Sequence, residues 1–158
     1  FLRELKKDLS FIHQTGTKDE DWVRQAYLDK GFHHQVLAFI SDMVWAYSQA
    51  DMLICRSGAT TLAEVTALGK ASLLIPFPFA ANNHQEENAR SLVQHGAAEM
   101  IPEKELTGAG LAAVIQKWRN DPRHRAHLAA QAKTLGRWQA AEEIVANCSQ
   151  LVRKGRWN

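Results

Sequence analysis

Residues 51–88 read DMLICRSGATTLAEVTALGKASLLIPFPFAANNHQEEN, and how this stretch is parsed decides the fold. It opens with a short apolar run, Met52-Leu53-Ile54-Cys55, and passes through the small-residue turn Arg56-Ser57-Gly58-Ala59 into a helix from Thr60 to Leu68 that Gly69 ends. A second run, Ser72-Leu73-Leu74-Ile75, is almost uniformly apolar, as suits a strand covered on both faces. It breaks at Pro76-Phe77-Pro78-Phe79 and leads through Ala80-Ala81-Asn82-Asn83 into a polar helix start. Two strand-to-helix turns therefore follow one another. In an open parallel sheet such turns lie at the carboxyl ends of strands, where ligands bind.

The same alternation extends in both directions. Upstream, Leu9–Gln14 reads as a strand closed by Thr15-Gly16-Thr17, and Asp19–Lys30 carries Trp22, Val23, Ala26 and Tyr27 at helical spacing before Gly31. Gln35–Ile40 reads as the next strand, with Ser41 expected to cap a helix over Asp42–Gln49 that carries Val44, Trp45 and Tyr47. Downstream, a helix is expected over Asn83–His95, stopped by Gly96, then a short strand at Ala97–Ile101. Helices follow over Gly108–Trp118 with Thr107 as cap, from Asp121-Pro122 to about Leu135, and over Ala140–Val152. Five strand–helix alternations call for an α/β fold, a doubly wound parallel sheet of Rossmann-like type with right-handed crossovers. Residues 1–158 read as one domain with a helical tail from about residue 107.

A doubly wound half normally places its first strand centrally. Phe1–Lys7 reads as the last turns of an amphipathic helix, and no G-x-G-x-x-G or G-x-x-x-x-G-K-[ST] occurs. The chain is thus expected to begin inside a domain, lacking the first strand and its glycine-rich turn.

Composition narrows the function. The 158 residues are 46% hydrophobic, enough for a packed core, and a net charge of +2 gives no footprint for nucleic acid. Cys55 and Cys148 lie far apart, and Cys55 falls in an apolar run as a buried thiol of a reducing compartment. No apolar run approaches the length of a membrane span, and no signal-peptide pattern is present. His13, His33-His34 and His124/His127 stand in no metal-binding pattern, so no metal or other cofactor is expected. Trp118, Trp138 and Trp157 read as packing or interface residues. The basic end Arg153-Lys154-Gly155-Arg156 reads as solvated, with a contact to an anionic membrane surface as the alternative.

The chemistry of the two turns admits two readings each. Gly58 lets the backbone approach a ligand closely, and the N–H groups of Ala59, Thr60 and Thr61 suit phosphate or sugar oxygens. Glu64 could accept from both hydroxyls of a ribose, or Thr61-Leu62-Ala63-Glu64 could be a capping box in which Glu64 serves the backbone. Arg56 could pair with a phosphate or be an ordinary solvated or ion-paired side chain. In the second turn, Asn82, Asn83, Gln85 and Asn88 suit a polyhydroxylated ligand, while Asn83 with Glu86 also fits a helix cap.

Cys55–Glu64, Leu74–Pro78 and Asn83–Ala89 together closely resemble the MurG family, the bacterial N-acetylglucosaminyltransferases that convert lipid I to lipid II in peptidoglycan synthesis. Phe39–Met43 is similar to that family's uracil-side segment, and His13-Gln14-Thr15-Gly16 to its H-Q-x-G strand end. The similarity runs in order over essentially the whole chain. It implies a GT-B glycosyltransferase, with this chain as most of the C-terminal, UDP-GlcNAc-binding domain. On that resemblance the backbone of Ile40 bonds the uracil edge, Met43 flanks the nucleotide and Glu64 holds the ribose hydroxyls. Arg56, Ser57 and Gly58 line the diphosphate, with Thr60 beside them, and the N–H of Ala59 faces the sugar. His84, Gln85 and Asn88 reach the GlcNAc, although His84 departs from the glutamine of some members.

The resemblance also implies inverting transfer, in which a base deprotonates the muramoyl 4-hydroxyl for attack on the anomeric carbon opposite UDP. No catalytic residue is assigned here, because that base belongs to segments that precede Phe1 in the family. Lipid I is implied as the acceptor through an N-terminal domain, and the cytoplasmic face of the bacterial inner membrane as a peripheral location. The chain alone is expected to bind donor weakly if at all and not to turn over. Two alternatives are a non-catalytic UDP-GlcNAc-binding subunit of a split transferase, and a UDP-GlcNAc 2-epimerase, whose catalytic acids have no place in these turns.

Overall fold

The computed structural model describes residues 1–153, so Lys154, Arg156 and Trp157 lie outside the described residues. Among the described residues five strands and seven α-helices run in the order β1 (Ser10–Gln14), α1 (Glu20–Lys30), β2 (His33–Leu37), α2 (Met43–Gln49), β3 (Leu53–Cys55), α3 (Ala59–Leu68), β4 (Ser72–Leu74), α4 (His84–Gln94), β5 (Glu99–Met100), α5 (Gly108–Asn120), α6 (Pro122–Thr134) and α7 (Ala140–Arg153). The chain forms two compact units, one of residues 1–51 with 106–121 and the other of residues 52–105 with the segment from Pro122 onward.

In the first unit β1 and β2 pair in parallel, Ser10 opposite His33 through Gln14 opposite Leu37. The strand expected at Gln35–Ile40 therefore begins earlier and ends at Leu37. His33 and His34 extend it because the parallel ladder satisfies their backbone whatever their side chains are; apolar content alone hid them. Helix α2 is capped by Asp42, not by Ser41 as expected: the Asp42 carboxylate accepts from the Trp45 N–H at 2.8 Å. Gly31 ends α1 in the left-handed conformation, and α5 begins on Thr107, whose Oγ1 accepts from the Gly110 N–H at 3.0 Å. Trp118 is fully buried as a packing residue, and Arg119 pairs with Asp8 at 2.6 Å.

The second unit holds a three-stranded parallel sheet in the order β3-β4-β5. Leu53 lies opposite Ser72, and Leu73 opposite Glu99. Every residue of β4 is buried, as its apolar run requires of a middle strand. Its core gathers Leu62 from α3, Leu74, Ala89 and Leu92 from α4, Ala97, Ala98 and Ala132 from α6, with Cys55, Met100 and Leu135 packed against them. Small side chains predominate, so helices lie close to the sheet. Gly136, just after α6, lies hard against helix α3: a Cβ there would sit 2.7 Å from the Thr66 carbonyl oxygen. Helix α7 has no buried residue, and Ile144, Val145 and Val152 are exposed along it; Trp138 just before it is 82% exposed, so of its two readings packing is excluded. No helix among the described residues is long and apolar enough to cross a membrane.

Candidate functional site

The second unit brings the two turns together. The chain leaves β3 at Cys55, and the Cys55 carbonyl accepts from the Ile75 N–H at 2.9 Å, so the ends of β3 and β4 stay in register where the turns begin. Ser57 is fully buried between them. Its hydroxyl donates to the Gln85 carbonyl at 2.7 Å, and its own carbonyl accepts from Asn88 Nδ2 at 3.1 Å. The Gln85 side chain completes the tie, its Oε1 accepting from the Phe77 N–H at 3.0 Å. Ser57, Gln85 and Asn88, predicted as site residues from separate stretches, thus form one hydrogen-bonded lattice. Its remaining polar groups are Nε2 of Gln85, a donor, and Oδ1 of Asn88, an acceptor.

Helix α3 starts at Ala59, with Gly58 in extended backbone (φ −65°, ψ 147°) as its N-cap and no side-chain cap bond. The capping-box reading of Thr61 and Glu64 fails on this geometry. Thr61 is already the third helical residue, so Glu64 lies too far along to serve the N-cap N–H. The first turn leaves the N–H groups of Ala59, Thr60 and Thr61 pointing out of the helix start without intrahelical acceptors. Ala59 and Thr60 are exposed, and Glu64 is half-buried one turn on. A Cβ at Gly58 would meet no atom within 4 Å beyond its chain neighbours, so the space beside the N-cap is open. Donors and helix dipole there favour an anion such as a phosphate.

The second turn is conformationally unusual. Asn82 and Asn83 are consecutive left-handed residues, φ 50° and 54°, and among the described residues they are the non-glycine residues with positive φ. Asparagine tolerates this region better than most, yet two in succession hold backbone strain of the kind found at binding sites. Asn83 occupies the N-cap position of α4 but makes no cap bond; its Nδ2 donates to Glu86 Oε2 at 3.0 Å. That bond first, and then Arg90, hold the Glu86 carboxyl below its ordinary value. The expected capping pair is therefore a side-chain pair only. His84 is exposed, with Nδ1 2.6 Å from the Ala81 carbonyl oxygen.

Arg56 is ion-paired, as one of its two readings held. Nη1 donates to the carbonyls of Ile75 and Pro76 at 3.2 Å each and pairs with Glu103. The guanidinium carbon stands 5.5 Å from the centre of the Phe77 ring, and Phe77 meets Phe79 edge-on at 5.7 Å. Glu103, from the 3-10 turn Glu103–Glu105 after β5, was not anticipated. It lies 47 residues from Arg56, and nothing local to either residue signals the pair.

Ile40 and Met43 belong to the first unit. Ile40 is buried, and its N–H donates to Gln14 Oε1 at 2.8 Å, which ties it to the end of β1. Met43 opens α2 and is half-buried. Burial pushes the Cys55 thiol beneath the first turn up to about 11.

Comparison with known proteins gives this geometry a lineage. The model of the glycosyltransferase family 28 C-terminal domain matches residues 1–144, running through both units. A UDP-N-acetylglucosamine--N-acetylmuramyl-(pentapeptide) pyrophosphoryl-undecaprenol N-acetylglucosamine transferase of Syntrophus aciditrophicus is 49% identical over 97% of this chain and 42% of its own length. The protein of the same name from Myxococcus xanthus is 48% identical over 96% of the chain and 39% of its own length. The chain spans about two-fifths of the length of such relatives. Among solved structures, the crystal structure of Acinetobacter baumannii MurG superposes at a TM-score of 0.83 with 31% identity, over 94% of this chain and 46% of that one.

Proposed function

The chain belongs to the family of glycosyltransferase family 28 C-terminal domains, and from that premise we propose that it is the donor-binding part of a hexosyltransferase that moves GlcNAc from UDP-GlcNAc. In this reading residues 1–158 are most of one donor-binding domain. The acceptor is the muramoyl 4-hydroxyl of lipid I, delivered through an N-terminal domain, and the product is lipid II. The whole protein acts at the cytoplasmic face of the bacterial inner membrane as a peripheral protein. The names of relatives 46–49% identical to it support this choice of donor and acceptor.

One observation on the chain itself carries the donor part: the uncapped start of α3, with open space before Gly58 and the Glu64 carboxylate one turn along. Anionic oxygens of a diphosphate suit the N–H groups of Ala59 and Thr60, with Arg56, Ser57 and Gly58 alongside. Glu64 accepts from the two ribose hydroxyls. Gln85 and Asn88 present a donor and an acceptor to sugar hydroxyls, and His84 stands at the exposed rim. Ile40 and Met43 serve the uracil; with its N–H held by Gln14, Ile40 offers its carbonyl. Upon transfer the leaving UDP gains negative charge, and fixed N–H dipoles stabilise that charge without reorganising.

Saturation-transfer NMR on the 158-residue chain tests the reading, because it registers weak binding. UDP-GlcNAc is expected to show contact at ribose and GlcNAc protons and to be displaced by UDP but not by GDP. Equal displacement by both nucleotides, or transfer confined to protons outside the ribose and GlcNAc, would count against it.

A further inference from the structure

We propose that Glu103 is a positioning residue of the donor site, acting through Arg56; this rests on the donor reading above. Nη1 of Arg56 has two hydrogens and three acceptors, the Ile75 and Pro76 carbonyls and the Glu103 carboxylate, so it is fully committed. The Phe77 ring lies within cation–π range of the same guanidinium. The three polar contacts all fall on one corner of the fork. The Nη2 and Nε edge makes no bond to any described residue, and that edge is the one whose spacing matches two oxygens of a phosphate.

The two carbonyls belong to the loop that leaves β4, while Glu103 comes from the segment that leaves β5. Glu103 is therefore the acceptor that fixes the guanidinium from outside the two turns. The pair is partly exposed, with side-chain accessibilities of 48% and 38%, and ion pairs of that kind add little to fold stability. Its consequence lies in orientation. With the Glu103 charge removed, Arg56 keeps its strand-end position but swings more freely about its side-chain torsions, and the diphosphate loses a preset partner.

A plain counter-ion role makes the opposite prediction. If Glu103 merely neutralises Arg56, its removal frees a positive charge and tightens anion binding.

The test titrates UDP-GlcNAc and uridine into the chain and into Glu103→Gln, Arg56→Lys and the double variant, each checked by thermal midpoint. Glu103→Gln is expected to weaken UDP-GlcNAc binding by about fivefold, the size of one well-placed hydrogen bond, and to leave uridine and the midpoint unchanged. The double variant is expected to bind no more weakly than Arg56→Lys. Equal or tighter binding of UDP-GlcNAc by Glu103→Gln overturns the positioning role while leaving the donor site intact, as does an equal loss for uridine. If the whole protein that contains this chain, titrated in parallel, binds neither ligand, the donor reading itself falls.

Discussion

At the scale of single residues, Gly58 and Glu64 carry the expectations for the first turn. Gly58 has an ordinary φ of −65°, and a side chain there would meet no protein atom within 4 Å. Gly58→Ala is expected to keep the thermal midpoint and to weaken UDP-GlcNAc binding by about tenfold, or ~1.4 kcal/mol. Loss of stability without loss of affinity would show the glycine to be structural. Glu64→Gln is expected to cost roughly tenfold in affinity for UDP-GlcNAc and to abolish discrimination against its 2′-deoxyribose analogue. Unaltered discrimination would remove Glu64 from the ribose. Cys55 and Cys148 separate by environment: burial pushes the Cys55 thiol up to about 11, whereas Cys148 is exposed on α7. The raised value leaves Cys55 as the neutral thiol across the neutral range. Iodoacetamide near pH 8 should label Cys148 alone, with Cys55 reacting only after denaturation, as peptide mapping would read.

At the scale of elements, the site depends on how closely α3 is held. Gly136 lies against the end of that helix, where a Cβ would come within 2.9 Å of the Ala67 Cα as well as crowding the Thr66 carbonyl. Gly136→Ala is expected to lower stability by about 1–3 kcal/mol, read as a lower urea midpoint, because backbone must move to admit the methyl group. An unchanged midpoint would mean that the contact relaxes freely. The elements were legible in the sequence wherever an apolar period and a stop coincided: α1 before Gly31, α3 before Gly69, and the wholly buried β4. Legibility ended where tertiary context decided. β2 takes in His33 and His34 because a neighbouring strand satisfies their backbone, and α2 is capped by Asp42 although Ser41 was the residue expected. Asn83 was placed at the start of α4, yet its left-handed backbone and its bond to Glu86 follow from no local rule. The Arg56–Glu103 pair lay beyond any motif for the same reason: a contact across 47 residues is set by the sheet.

At the scale of the molecule, residues 52–105 gather the two turns at the ends of β3 and β4, and the buried Ser57 locks them to each other. The sequence motifs pointed to both turns; the hydrogen bonds that make them one site were visible only in three dimensions. The family match through residue 144 covers both units, and relatives more than twice as long carry the transferase name. The central claim is that the start of α3 receives the diphosphate of UDP-GlcNAc. The most direct measurement is a titration of the ¹⁵N-labelled chain with UDP-GlcNAc, following the backbone amides. The predicted result is that Ala59, Thr60 and Thr61 shift most, with the Gln85 side-chain amide moving on the same binding curve. Shifts confined to other segments, with these four signals unmoved at saturation, would contradict the account.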